Sequence, residues 1–503
     1  MQRLAQEFAE RAERAPGEVA VVDALGEHTV GEVMQAARDL ARGLEDALGG
    51  SPTVLVQADN TWRTLATALA VGLRGGMVAV FSSHAVEAEF ALAMEDIEPD
   101  AVVASDEVLT HWSVPDEAFP DKQAVLDGWA LVASGRPASD VGRWRGGVAV
   151  AMTSGSTGRP KCVVQSEESL RYAGRCTIDA IGLEPGDAVG AFVPLSSVAA
   201  YCFGMYLPAM LGSPMVSIES WKPDAALEAM ADHDVRWTML VPTMALQLSV
   251  RPAAAGRLAG LRAMTVGGGP MDAGALGRAE EVLGTKFIRV FGMSECLGHT
   301  TTSPADDAAT RLGCDGRPFP GTHVRAVDER GVPVPTGQVG AAQVCGPSLF
   351  VGYARDGRPQ PPDLTADGYL PTGDLVRINH DGTITILGRE KQIIIRGGRN
   401  IDINEVEAAV ARIPRVAQVC VVPVPDELLG ERVAALVVAT GPLTLVDVTE
   451  ALGAAGFPKA KWPELVFTVP DLPQNRVGKL SRPDAVRLAA DLAAAPASAP
   501  VAE

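Results

Sequence analysis

Met152-Thr153-Ser154-Gly155-Ser156-Thr157-Gly158-Arg159-Pro160-Lys161 follows directly on an apolar run, Gly147 to Met152. The run reads as a buried strand. The positions after Met152 hold two glycines, four hydroxyl residues and a lysine. Glycines let the backbone turn sharply and bring its N–H groups close to an anion. Hydroxyls add donors, and a lysine supplies the point charge that a polyphosphate needs. The Walker pattern G-x-x-x-x-G-K-[ST] is absent, so that particular fingerprint does not apply. The same composition also suits a plain surface loop.

Outward from this stretch the chain alternates. Upstream, residues 1–48 read as two amphipathic helices around a hairpin-like segment, Val19 to Val30. Strands at Val54 to Val56, Val78 to Phe81 and Ala101 to Ala104 are separated by helical patterns at Thr61 to Leu73 and Val86 to Ile97. Such alternation predicts βαβ units and a largely parallel sheet with helices on its faces. Residues 106–146 read as irregular. Downstream, helices at Leu170 to Ile181, Tyr201 to Leu211 and Ala225 to His233 interleave with strands at Asp187 to Val193, Met215 to Ile218 and Trp237 to Val241. Two further strands, Ala263 to Val266 and Phe287 to Val290, stop at Gly267-Gly268-Gly269-Pro270 and at Phe291-Gly292-Met293-Ser294-Glu295. Ligands of open α/β sheets collect beyond the carboxyl ends of strands. Three such ends here carry glycine or hydroxyl clusters.

From Gly321 the texture changes to short strands with Gly and Pro turns, and Asp381-Gly382 between apolar runs marks a hairpin. Another change falls at Gly388-Arg389. The predicted organisation is a large N-terminal α/β domain over 1–388, carrying layered, mainly parallel sheets and a small β-rich subdomain. A small α+β domain over 389–490 and a disordered, low-complexity tail over 491–503 follow.

The bulk properties exclude some classes. A chain of 503 residues exceeds one core. Its net charge of −19 gives no global attraction for nucleic acid. Anionic ligands must therefore be held by locally placed donors. The seven cysteines are scattered without C-x-x-C, which argues against a zinc site and a disulfide framework and for a cytoplasmic protein. Ala191 to Ile218 carries no charge, but Pro194, Pro208 and Pro214 punctuate it, so buried core rather than membrane insertion is expected.

Five motifs in order, MTSGSTGRPK, FGMSE, YLPTGDL, GREKQIIIRGGRNIDINEVE and LPQNRVGKLSR, resemble those of the adenylate-forming superfamily. That superfamily includes acyl-CoA ligases, adenylation domains and luciferases. The resemblance implies ATP-dependent activation of a small-molecule carboxylic acid as an acyl-adenylate. Thioester formation then follows with CoA or with a carrier-protein phosphopantetheine, which would make an acyl carrier protein a partner. A non-thiol nucleophile is a further alternative.

Residue by residue, the resemblance assigns Thr153, Ser154, Gly155, Ser156, Thr157, Gly158 and Lys161 to the β- and γ-phosphates. Phe291 would stack on adenine within Phe291-Gly292-Met293, and Ser294 would bond the α-phosphate. Glu295 would hold Mg²⁺, a hard cation suited to carboxylate oxygen. Asp374 would take the ribose hydroxyls with Arg389 assisting, and Lys391 would be the hinge. Gly267, Gly268 and Gly269 would form the strip between nucleotide and acid. Tyr201, Met205, Thr238 and Gly267 would shape the acid pocket. Lys479 is the implied catalytic lysine, bridging carboxylate and α-phosphate. Two departures stand out. Cys162 replaces the usual glycine after Lys161, where a small buried side chain is expected. Ser197 stands where many CoA-forming members carry histidine, and Leu195 leaves no acid to hold an α-ammonium.

Overall fold

The computed structural model describes residues 1–153, 161–251, 256–269, 273–390, 392–396, 399–426, 428–475 and 478–494, with backbone alone at 393, 395 and 400. Ser154, Gly155, Ser156, Thr157, Gly158 and Lys391 therefore lie outside the described residues or their side chains.

Two nine-stranded sheets form the large part of the molecule. In the first, Ala188–Ala191, Met215–Ser217, Val235–Leu240, Ala263–Gly267 and Phe287–Met293 run parallel. In the second, Thr53–Gln57, Met77–Phe81, Ala101–Ser105 and Gly147–Thr153 are parallel at the centre. These central strands are buried on both faces, which is why they read as continuous Val- and Ala-rich runs. Helices such as Trp62–Leu73 pack between and over the sheets. Mixed α/β architecture is as expected. No helix among the described residues is long and apolar enough to cross a membrane.

Several local expectations are corrected. Residues 106–146 are not irregular. Asp121–Val125 and Trp129–Ala133 form an antiparallel hairpin on the sheet edge, with Leu126, Asp127 and Gly128 all at positive φ in its turn. The strand after the opening stretch is also antiparallel: Thr153 pairs with Lys161 and Met152 with Cys162. Cys162 is buried. Phe287–Met293 runs past Phe291, turns at Ser294 and Glu295, and returns antiparallel as Cys296–Thr301. A Cβ on Gly292 would sit 2.7 Å from the Gly298 nitrogen, so glycine is what lets this hairpin close.

Tyr201–Tyr206 is a π-turn inside the expected helix. Its bonds span five residues, and both Tyr201 and Tyr206 are buried. The Tyr201 hydroxyl donates to Met1 Sδ at 3.2 Å and Tyr206 donates to Glu167 at 3.0 Å.

A four-stranded antiparallel sheet, His323–Val327, Val339–Cys345, Leu370–Ile378 and Ile384–Arg389, follows. Beyond it, a five-stranded sheet built on Val416–Asp426 and Gly430–Ala439 carries the helices Ile403–Ala411 and Arg482–Ala494. The last helix includes residues 491–494, which composition assigns to the tail, because Ala485 and Ala489 bury against the sheet and carry the helix onward.

Arg482 ties this small part together. Its guanidinium meets Glu407 in two bonds of 2.8 and 2.9 Å, and Glu407 also accepts from the Val421 N–H at 2.7 Å. Removing one partner leaves a buried charge unpaired. We expect Arg482→Met to cost about 3–5 kcal/mol and Arg482→Met with Glu407→Leu to recover most of it. Urea unfolding of the two variants checks this; a single variant as stable as the parent would refute it.

Candidate active site

The parallel strands of the first sheet end together, and this places Ser217, Val241, Gly267 and the Ser294–Glu295 turn along one edge. Ser217 there donates to the Asn60 carbonyl. Asn60 fastens the second sheet to this edge. Its amide donates to Ala191 O at 2.9 Å and Val193 O at 3.2 Å, and its oxygen accepts from Leu195 N. Gln165 does the same from the other side, donating to Ser294 O at 2.6 Å. Neither residue stands out in the sequence, because nothing in a polar side chain's type reveals that its partners lie over a hundred positions away.

Onto this edge the small C-terminal part lowers one loop. Thr243 Oγ1 donates to Gly478 O at 2.8 Å, and Lys479 exchanges two bonds with Asn475. The Lys479 stem is half-exposed, but its ammonium end is enclosed. A Cβ on Gly268, whose φ is +81°, would stand 2.8 Å from Lys479 Nζ. A side chain at 268 would be strained by that backbone conformation. Burial lowers the Lys479 pKa, the nearby Arg389 guanidinium lowers it further, and Glu295 works against both.

Arg389 also donates to Asp374 Oδ1 at 3.0 Å, across the strand pair that joins them. Burial raises the Asp374 pKa despite that guanidinium. On the opposite flank Lys161 Nζ lies 3.5 Å from the Tyr353 hydroxyl, which donates to Glu295 Oε1 at 2.6 Å. Lys161, Glu295, Arg389, Asp374 and Lys479, drawn from five motifs, thus converge through direct contacts or electrostatic coupling. Ser294 sits in the same turn as Glu295. Thr153 faces Lys161 in the hairpin register.

Phe291 is buried with its ring edge-on to His299 at 4.2 Å. His299 donates from Nδ1 to Cys296 O at 3.0 Å, and burial pushes its pKa down to about 4, so the ring is neutral. Beside it Gly298 leaves space for Phe203 and Phe319, whose rings a Cβ would approach at 3.1 and 3.3 Å. Phe203 then fronts a small cavity that Phe192, Ala200, Gly204 and Met239 also line.

Of the expected pocket residues, Thr238 lies beneath this wall, bonded to Gly190 O at 2.9 Å. Gly267 packs on Val290. Tyr201 and Met205 are both buried, and the Tyr201 hydroxyl is directed to Met1 Sδ. A 3.6-residue period cannot reveal a five-residue turn. Ser197 caps the short helix after it, accepting from Ala200 N at 3.2 Å.

At this site several strand ends meet a lysine from the C-terminal part of the chain, an arrangement that suits an anionic ligand. Residues 8–354 match the AMP-binding enzyme family, and residues 405–479 match the AMP-binding enzyme C-terminal domain. The chain belongs to this adenylate-forming family. It is 32% identical to the salicylyl-CoA synthase / salicylate adenylyltransferase of a Streptomyces species, over 96% of this chain and 93% of that one. Among solved structures, ATP-bound MatB from Rhodopseudomonas palustris superposes with a TM-score of 0.83 at 25% identity, covering 97% and 99% of the two chains. The amide bond synthetase McbA from Marinactinospora thermotolerans gives a TM-score of 0.79 at 27% identity, covering 96% and 99%.

A lowered lysine pKa means that the enclosed Lys479 holds its proton less tightly than an exposed lysine, so this arrangement gains stability as pH rises through the lowered value towards 10.5. An anionic nucleotide reverses this by favouring the ammonium. Nucleotide binding at alkaline pH should therefore take up a proton, seen by calorimetry in buffers of different ionisation enthalpy. Lys479→Gln should abolish the uptake; if the uptake persists in that variant, another group is responsible.

Proposed function

We propose that this adenylate-forming acid ligase activates a small aromatic carboxylic acid and passes the acyl group to the thiol of CoA. The acid's carboxylate oxygen attacks the α-phosphorus of ATP, the bond to pyrophosphate breaks, and an acyl-adenylate forms. The CoA thiolate then attacks the acyl carbon and AMP leaves. The observation that carries this reading is the enclosed Lys479 ammonium against Gly268, coupled to Arg389 and Glu295.

Each side chain has a task in that scheme. Lys479 holds the carboxylate and the α-phosphate together, lowering their mutual repulsion where water is excluded. Thr153, Ser154, Gly155, Ser156, Thr157, Gly158 and Lys161 hold the β- and γ-phosphates, and Ser294 bonds the α-phosphate. Phe291 flanks the adenine. Asp374, kept oriented by Arg389, accepts from the ribose hydroxyls. Glu295 supplies the hard carboxylate oxygen that Mg²⁺ favours, and Mg²⁺ there would offset polyphosphate charge. Gly268 and Gly269 separate nucleotide from acid, and Lys391 serves as hinge between a large 1–388 unit and a small 389–490 unit. Aromatic acid is favoured by the likeness to a salicylate-activating relative.

A second reading keeps adenylation but changes the acceptor to a carrier-protein phosphopantetheine or an amine. Ser197, acting as a helix cap rather than a pocket histidine, favours it, as does the likeness to an amide bond synthetase.

Acid-dependent exchange of labelled pyrophosphate into ATP tests the first half-reaction. Lys479→Ala should reduce it by about 10²–10³-fold, in line with loss of one preorganised charge at the reacting centre. A broad aryl-acid panel with no exchange would refute adenylation. With the best acid, CoA, a carrier protein and an amine offered in turn decide the acceptor.

A further inference from the structure

Tyr353 has no role in the scheme above, yet it touches two of its members. It lies on Gly352–Arg355, the strand next to the sheet edge, where Tyr353 pairs with Val163, two residues from Lys161. The Lys161 ammonium sits 4.8 Å from the centre of its ring and 3.5 Å from its hydroxyl. The hydroxyl donates to Glu295 Oε1 at 2.6 Å. Its own position is fixed independently. Phe350 packs edge-on against the ring at 4.9 Å, and the Phe350 N–H donates to Glu295 O at 2.9 Å. Burial holds the phenol well above its usual range, so it stays a donor.

Lys161 and Glu295 come from different sheets and carry opposite charge. Left alone, they would be free to pair directly or to turn into solvent. The tyrosine interposes a ring for the cation and a hydroxyl for the anion. It thereby keeps the two apart and leaves Glu295 Oε2 for other bonding.

We propose that Tyr353 is a positioning residue that holds Lys161 and Glu295 separately in their nucleotide-binding orientations. This rests on the proposed function for the roles of those two side chains, but not on the identity of acid or acceptor. Glu295 provides the only carboxylate of the pair, so loss of the hydroxyl should act through the metal that accompanies the nucleotide. Loss of the ring should act through Lys161 as well.

Calorimetric binding of a non-hydrolysable ATP analogue, titrated over Mg²⁺, tests this on the full chain, with AMP in the absence of metal as control. Tyr353→Phe keeps the ring. It should raise the Mg²⁺ needed for half-maximal analogue affinity by about 3–10-fold, as expected for losing a hydrogen bond to a charged group, with AMP affinity unchanged within about twofold. Tyr353→Leu should add a further loss of about 2–5-fold in analogue affinity, the worth of a cation–π contact. A Tyr353→Phe protein with the parent's Mg²⁺ dependence overturns the proposal. So does a variant in which AMP affinity and melting temperature fall together with the analogue, since that marks general support of the fold. Failure of the functional reading is separate: a parent protein that shows the expected binding pattern but exchanges no pyrophosphate upholds Tyr353 and refutes adenylation.

Discussion

The rest of the site depends on the enclosure of one ammonium. Lys479 comes from the last loop before the final helix, and its end lies where a side chain on Gly268 would be. A desolvated ammonium costs several kcal/mol unless paired. Here Arg389 adds repulsion and Glu295 offsets only part of it. An enclosed ammonium so placed favours an anion beside it. A chain of net charge −19 offers no long-range attraction for that anion. The binding free energy must come from a few desolvated donors placed by the fold.

Polar crosslinks lace the two large sheets together at the strand ends. Asn60 spends its amide on Ala191, Val193 and Leu195, and Gln165 spends its amide on Ser294. Each bond crosses from one sheet to the other. The parallel strands supply the edge, since their carboxyl ends gather in one place. The polar crosslinks set the distance between the two edges, which a hydrophobic core alone leaves free to slide. A ligand gripped from both sheets requires that distance to be fixed.

Much of this was legible in the chain. The alternation of short Val-rich runs with helical patterns over 53–104 and 187–290 is strongly periodic, and those elements stand where the pattern puts them. The motifs also named Lys161, Glu295, Asp374, Arg389 and Lys479 as a set, and the fold brings them together. What escaped has identifiable causes. The hairpin at Asp121–Val125 and Trp129–Ala133 hides because its first strand is polar and exposed, with no apolar alternation to mark it. The strand Phe287–Met293 runs through Gly292 because an antiparallel neighbour, invisible locally, needs that close approach. Tyr201 points to Met1 because a π-turn breaks the helical period. Tyr353 carries no local signal at all; its meaning lies in partners 192 and 58 positions away.

Lys479 and Arg482 are held in different ways. The Lys479 loop rests on modest contacts, Thr243 to Gly478 and the Asn475 pair, with the ammonium end against Gly268. None of these is a buried ion pair. By contrast, the Arg482–Glu407 pair, three residues further along, is bidentate and buried within the small unit itself. Paired charge therefore holds the C-terminal part together from within, while a neutral hydrogen bond from Thr243 joins its Lys479 loop to the strand ends. Losing one partner of the ion pair strands a buried charge, whereas a neutral bond is worth only about 0.5–1.5 kcal/mol, so the internal pair is the costlier of the two to break.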